Sequence, residues 1–120
     1  ISPIAAAYER GLRCSNHSDF SVTPIDPFLM MQTAMLRRSR SGVVLGPDQR
    51  VDALTALRTL TIDAAWQIFE EDTKGSIAPG KLADLVIVDR NPLEVDPEEM
   101  LDLQVIETFK EGESVWRRPA

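Results

Sequence analysis

The sequence predicts an α/β protein, and three features of its pattern support that prediction. A short helical segment runs directly into an extended segment with a polar tip, residues 4–19, and this order is typical of α/β layers. Residues 83–88 form a β-branched run that is too short for a helix and indicates a strand. Residues 104–110 and 113–117 flank a Glu-Gly pair, which indicates a β-hairpin.

The first helix is predicted from the residues at its ends. Ser2 offers a hydroxyl cap, Pro3 suits the first helical position, and Gly11 suits the exit. The extended segment that follows, residues 12–16, is predicted to be a strand. It ends at the polar tip, residues 17–19.

Prolines mark the next loop and the start of a second helix. Residues 20–26 are predicted to form a loop, because each proline pushes the residue before it out of the helical region. Asp26 can cap a helix that Pro27 opens and that runs to about Arg38. Three arginines at its end are favoured there by roughly 0.3–1 kcal/mol each: Arg37, Arg38 and Arg40. A nucleic-acid surface is the alternative, but the acidic balance elsewhere favours a solvated helix end.

Two consecutive helices and a mixed C-terminal region follow. Asp52 is predicted to cap a helix with an apolar stripe at three-residue spacing: Leu54, Leu57 and Leu60. Residues 62–70 are predicted to continue as a helix that buries Ala65, Trp66 and Phe69. Trp116 is also expected in the core. A type II turn at Pro79-Gly80 precedes the strand at 83–88, which is apolar enough to be covered on both faces. Asp96-Pro97 is predicted to start one helical turn.

Composition bounds the function classes. The 120 residues carry 13 basic and 19 acidic side chains, a formal net charge of −6, and this balance argues against nucleic acid or an anionic membrane as the main partner. No stretch approaches the ~20 apolar residues that cross a bilayer. The single cysteine, Cys14, suits a reducing compartment, so we expect a cytoplasmic protein. Cys14 itself is expected to be a small buried hydrophobe rather than a nucleophile.

The candidate site lies in the polar tip. Asp19 follows the predicted strand, where α/β architectures place metal ligands and general bases, although spacing alone favours an aspartate that caps the next turn. His17 is two residues away and could share a metal or a proton with Asp19, although a satisfied or partly exposed histidine is the more common case. Since His17 is the one histidine, the chain by itself cannot assemble an imidazole-rich metal site.

Five stretches together resemble the metal-dependent amidohydrolase superfamily, and within it the amidohydrolase-3 group of YtcJ-like and N-substituted formamide deformylase-like proteins. They are NHSD at 16–19, VTPIDP at 22–27, LGPDQR at 45–50, TIDAA at 61–65 and KGSIAPGKLADLV at 74–86. Some members carry the label exoenzyme regulatory protein. The resemblance covers essentially the whole chain and, together with a first residue that is not Met, leads us to expect a piece of a longer parent.

The resemblance implies a fold and a boundary. The expected parent is a (β/α)₈ TIM-type barrel with a small β-sandwich built from both chain ends. Residues 1–73 would supply the last barrel helices and strand eight, and residues 74–120 the C-terminal strands of the sandwich. A strand removed from its neighbours exposes backbone donors. We therefore expect residues 12–16 to be disordered, covered by the chain's own helices, or paired across a homodimer.

The resemblance also implies a site and a reaction. Asp19 would be the strand-eight aspartate, a metal ligand and proton shuttle, and His17 would contact the substrate or a metal ligand. The implied cofactor is a divalent metal, zinc, in the intact parent, and this piece is expected to hold none tightly and to be inactive alone. The implied reaction is hydrolysis of a non-peptide carbon–nitrogen bond in a small amide-type substrate. The alternative is a non-catalytic regulatory or interaction module on the same scaffold.

Overall fold

The computed structural model describes residues 2–120 and confirms the α/β class at the level of a small unit with one three-stranded sheet. Four helices precede the strands: α1 (Ile4–Glu9), α2 (Pro27–Leu36), α3 (Ala53–Leu60) and α4 (Ile62–Gln67). The strands are β1 (Leu85–Val88), β2 (Val105–Lys110) and β3 (Glu113–Arg117). Short 3₁₀ turns span Pro47–Gln49 and Pro97–Asp102. No helix within residues 2–120 is long and apolar enough to cross a membrane.

The helix starts follow from local capping chemistry. Asp26 Oδ1 accepts hydrogen bonds from the amides of Phe28 (2.9 Å) and Leu29 (3.2 Å), and Asp52 accepts from the Thr55 amide (2.7 Å). Both predicted caps are confirmed, and each satisfies amides that the helix cannot. The predicted Ser2 cap is wrong. The residue preceding α1 is Pro3, which makes no side-chain cap, and the Ile4 amide bonds the Ser2 carbonyl instead.

The strand predicted at residues 12–16 is absent from the described chain. This segment makes no ladder. The Asn16 amide donates to the Thr59 carbonyl on α3 (3.2 Å), and the Asn16 side chain donates to the Met30 carbonyl on α2 (3.3 Å). A strand needs a neighbouring strand to satisfy its backbone hydrogen bonds, and none of the described strands lies beside this segment. The segment is therefore held by hydrogen bonds to helices α2 and α3.

The core lies between helices α2 and α3 and the second 3₁₀ turn. Its buried apolar residues are Ile4, Met31, Ala34, Ala56, Met100 and Leu103. On α3 the most buried positions are Ala56 and Thr59, because they face this core. The predicted leucine stripe is confirmed for Leu57 and Leu60, which are partly buried and pack against the core. It is wrong for Leu54, which is about half exposed.

Three aromatic residues are more exposed than the sequence predicts. Helix α4 ends at Gln67, so Phe69 lies beyond it in a left-handed conformation (φ +60°) with 89% of its surface exposed. Trp66 and Trp116 each keep nearly half of their surface in solvent. Within residues 2–120 none of the three is a core residue. On α4 the buried positions are Asp63 and Ala65.

The sheet is antiparallel in the order β1-β2-β3. The turn between β2 and β3 places Glu111 at φ +52° and Gly112 at φ +86°, as a two-residue type I′ hairpin turn requires. The predicted hairpin is confirmed. The expectation that β1 is covered on both faces is wrong for the described residues, because the sheet is a single layer and leaves Val86 and Ile87 about half exposed.

The arginines that follow α2 have different surroundings. Arg37, which adopts a left-handed conformation (φ +56°), is buried with only 9% of its surface exposed. The prediction of a solvated helix end is therefore wrong for this residue. Arg38 is exposed and pairs with Glu98, and Arg40 is exposed.

The turn region between α4 and β1 is held to the helices by close contacts. The Lys81 amide donates to the Ala78 carbonyl (3.2 Å) across Pro79-Gly80, and Gly80 has φ +89°, which confirms the type II turn. Nearby, Gly75 has φ +85°, and a Cβ added to it would lie 2.7 Å from the Ala65 Cβ and 2.9 Å from the Ile62 Cα. This position therefore requires glycine for both its conformation and its space.

Replacing Gly75→Ala is expected to destabilise the chain by about 2–5 kcal/mol, the sum of left-handed strain and overpacking. The matched control is Gly42→Ala, since Gly42 has φ +84° but nothing within 4 Å of an added Cβ. It is expected to cost about 1–2 kcal/mol, from strain alone. Urea unfolding of both variants measures the difference. Equal losses would contradict the close approach at Gly75.

Candidate functional site

The polar tip forms a tight, solvent-exposed turn. The Asp19 amide donates to His17 Nδ1 (3.1 Å), and the Val22 amide donates to the Asp19 carbonyl (2.7 Å). Thr23 Oγ1 donates to the Ser18 carbonyl. Asp19 adopts a left-handed conformation (φ +52°), which Asp tolerates better than most residues. These bonds fix the backbone that carries the Asp19 side chain.

The Asp19 carboxylate itself accepts no hydrogen bond from residues 2–120, and the side chain is exposed. The capping alternative therefore finds no support in the described chain. His17 approaches Asp19 through the backbone amide rather than the carboxylate. Because Nδ1 accepts that bond, the neutral imidazole carries its proton on Nε2. The two predicted site residues are thus brought together, with His17 orienting the Asp19 backbone.

The donor set around Asp19 is incomplete in this chain. Across residues 2–120, no three His, Cys, Asp or Glu side chains are arranged so that they could hold a metal ion. An exposed carboxylate without intrachain partners is a suitable single ligand for a divalent cation, but a catalytic zinc usually takes three protein ligands. The described residues therefore fit one ligand position and do not form a metal site alone.

A second cluster centres on Asp63, whose side chain is 0% exposed. Tyr8 Oη on α1 donates to Asp63 Oδ2 (2.5 Å). Arg58 Nε on α3 lies 3.5 Å from Oδ2, and Arg13 Nε in the extended segment lies 3.8 Å from Oδ1. Three parts of the chain thus converge on one buried carboxylate. Sequence reasoning missed this cluster, although an acid within the apolar TIDAA stretch was a usable signal.

The Asp63 cluster is asymmetric. Asp63 Oδ1 is the one fully buried side-chain oxygen or nitrogen in residues 2–120 without a hydrogen-bond partner. It lies beside a cavity of about 340 Å³ whose lining includes Arg13, Trp66 and Gln67, and the Arg13 guanidinium lies 5.5 Å from the Trp66 ring centroid. Burial, and then the hydrogen bond to Asp63, raise the pKa of Tyr8 above its usual range. Tyr8 therefore remains a proton donor to Asp63.

In the sequence, Cys14 lies between Arg13 of the Asp63 cluster and His17 of the polar tip. Its side chain packs against the core. Burial, and then the negative charge of Asp63, raise the pKa of the Cys14 thiol. Since the thiolate is the reactive form, the structure agrees with the prediction that Cys14 is not a nucleophile.

Comparison with known proteins identifies the class. A family model described as the amidohydrolase family matches residues 1–116. N-substituted formamide deformylase from Arthrobacter pascens is 36% identical over 112 residues, which cover 93% of this chain and 21% of that protein. The YtcJ protein from Bacillus subtilis is 29% identical over 112 residues, which cover 91% of this chain and 21% of that protein.

A solved structure points to the same family. The crystal structure of an amidohydrolase from Thermotoga maritima MSB8 matches with a TM-score of 0.74 at 26% identity, covering 96% of this chain and 26% of that one. The chain belongs to the amidohydrolase family, and the resemblance to the amidohydrolase-3 group is confirmed. It spans about a fifth of the length of the curated relatives it matches.

Replacing Asp63→Asn is expected to destabilise the 120-residue chain by about 2 kcal/mol. Removing one member of a buried ion cluster is costly, but the two arginines are about half exposed and solvent screens them. The control is Asp72→Asn, because Asp72 is exposed. Urea unfolding compares the two variants, and the same midpoint for both would contradict the role assigned to Asp63.

The Cys14 thiol is expected to react slowly with dithionitrobenzoate in the folded 120-residue chain. At pH 8 the rate should be several-fold lower than in urea, because the raised pKa keeps the thiol protonated. As pH rises above 9, the folded chain should continue to gain rate after the unfolded chain has reached its plateau. With one cysteine in the chain, absorbance reports on Cys14 alone, and identical pH profiles would refute the shift.

Proposed function

We propose that this chain is the C-terminal part of a metal-dependent hydrolase that cleaves a non-peptide carbon–nitrogen bond in a small amide-type substrate. Family membership and the likeness to N-substituted formamide deformylase support the reaction class. The observation that carries the proposal is the Asp19 carboxylate, which is exposed, held on a fixed backbone and unused by the described chain.

In this proposal Asp19 has two roles, as one metal ligand and as the proton carrier. A bound divalent cation, zinc in this proposal, would lower the pKa of a water molecule and polarise the substrate carbonyl. Asp19 accepts the proton of the attacking water and returns it to the departing nitrogen. His17 assists by bonding the Asp19 amide through Nδ1 (3.1 Å), which restricts the direction in which the carboxylate leaves the turn.

The proposal extends to the architecture of the longer protein. Residues 1–73 supply the last helices of a (β/α)₈ barrel, and residues 12–16 become strand eight when neighbouring strands satisfy their backbone. Residues 74–120, with β1, β2 and β3, form part of a small β-sandwich that covers the apolar positions now exposed. The remaining metal ligands come from sequence outside this chain, so the piece alone is inactive. A reducing, cytoplasmic setting completes the proposal.

Replacing Asp19→Asn in the full-length protein is expected to lower kcat/KM by at least about 100-fold for N-substituted formamides and other amides, because the amide side chain cannot accept the proton. The control Asp72→Asn changes an exposed carboxylate and should keep full activity. Metal content is measured in both variants.

Three outcomes separate the hypotheses. Loss of turnover in Asp19→Asn, with Asp72→Asn active, supports the assigned role. Unchanged turnover in Asp19→Asn with metal retained refutes the proton role of Asp19. A natural full-length protein that binds no metal and turns over no amide would refute the hydrolase and leave the regulatory module.

A further inference from the structure

Arg37 is a buried cation held only by neutral groups of the described chain. Its Nε donates to the Leu45 carbonyl (3.0 Å), and its Nη1 donates to the Ser2 carbonyl (2.7 Å). None of the ion pairs formed within residues 2–120 includes Arg37. Since burial of an unpaired charge is costly, this guanidinium is a strong candidate for an external anion.

The Arg37 charge is not neutralised by the nearby acid Asp48. The pKa of Asp48 is lowered mainly by the hydrogen bond from its neighbour Gln49, and the charge of Arg37 is the smallest contribution. The carboxylate accepts that bond from Gln49 Nε2 (3.0 Å) and lies at the exposed surface. Arg38, next to Arg37, is already paired with Glu98. Within residues 2–120, Arg37 therefore has no acidic partner, and its Nη2 makes no hydrogen bond.

A cavity of about 240 Å³ lies against Arg37. Its apolar lining includes Ile4, Ala34 and Leu45. Its polar lining includes Thr33, Ser39 and Arg38, and Arg38 is already paired with Glu98. The Thr33 hydroxyl already donates to the Leu29 carbonyl (2.7 Å), so Arg37 is the dominant donor. The volume is below the range of about 300–1,000 Å³ that is typical of drug-sized ligands. The cavity therefore suits a small molecule with one charged end and a short apolar end.

We propose that this cavity binds a small organic monocarboxylate, with its carboxylate on the Arg37 guanidinium and its short hydrocarbon tail on the apolar wall. With Nε and Nη1 already donating to carbonyls, Nη2 is the guanidinium nitrogen that makes no hydrogen bond within residues 2–120, and it can donate a charge-assisted hydrogen bond to a carboxylate. The buried setting strengthens the pairing relative to an exposed arginine. A carboxylate with a tail fits the cavity better than inorganic phosphate, because a phosphate has no hydrocarbon part to cover the apolar wall. This site is separate from the role proposed for Asp19.

The test is titration calorimetry of the full-length protein with sodium butyrate. Butyramide, which has the same shape without the charge, is expected to bind at least tenfold more weakly. Arg37→Gln should abolish butyrate binding, whereas Arg40→Gln, at an exposed position on the same chain segment, should leave it unchanged. Folding of each variant is checked by circular dichroism.

Leu45→Trp keeps the test decisive if Arg37→Gln fails to fold. It fills the cavity from its partly exposed side and leaves the Leu45 carbonyl to bond Arg37, so it should also abolish butyrate binding. The proposal is overturned if wild-type protein does not bind butyrate, if butyramide binds equally well, or if inorganic phosphate binds more tightly. Retained binding in Leu45→Trp, or equal loss in Arg40→Gln, also overturns it.

Discussion

One buried carboxylate organises the helical half of this chain. Asp63 receives a hydrogen bond from Tyr8 on α1 and lies beside Arg58 of α3 and Arg13 of the extended segment. That segment has no strand ladder to hold it, so its path depends on this polar cluster and on the two hydrogen bonds of Asn16. The placement of the turn that carries Asp19 therefore depends indirectly on the Asp63 side chain, which has no exposed surface.

Features that depend on neighbouring residues in the sequence were predictable. Asp26 and Asp52 cap their helices because the amides they bond lie two or three residues away. The hairpin follows in the same way from Glu111-Gly112, whose positive φ angles match the twist of paired strands. Predictions that required distant partners failed. Residues 12–16 have the composition of a strand, but no described strand lies beside them. Trp66 is a residue type that is usually buried, but it lies on a helix surface that nothing covers fully.

The candidate site shows the same division. Asp19 and His17 were identifiable because position and resemblance point to the same turn, and the structure adds the bond between the Asp19 amide and His17 Nδ1. Arg37 and Asp63 were not identified as buried charges. Sequence spacing places Arg37 at a helix end, where arginines are usually solvated, but its left-handed conformation turns the chain so that the side chain meets distant carbonyls. Burial of a charge depends on such long-range contacts.

The close packing around Gly75 has a consequence for protein engineering. Lys81 Nζ donates to the carbonyls of Glu71 and Lys74 and to Ser76 Oγ, so the turn region is fastened on both sides of Gly75. A reporter tag or a foreign domain inserted beside Gly75, between residues 74 and 76, would have to separate a backbone that already lies close to Ala65 and Ile62. The exposed tip at Ser41-Gly42, with open space around Gly42, offers a far more permissive insertion point.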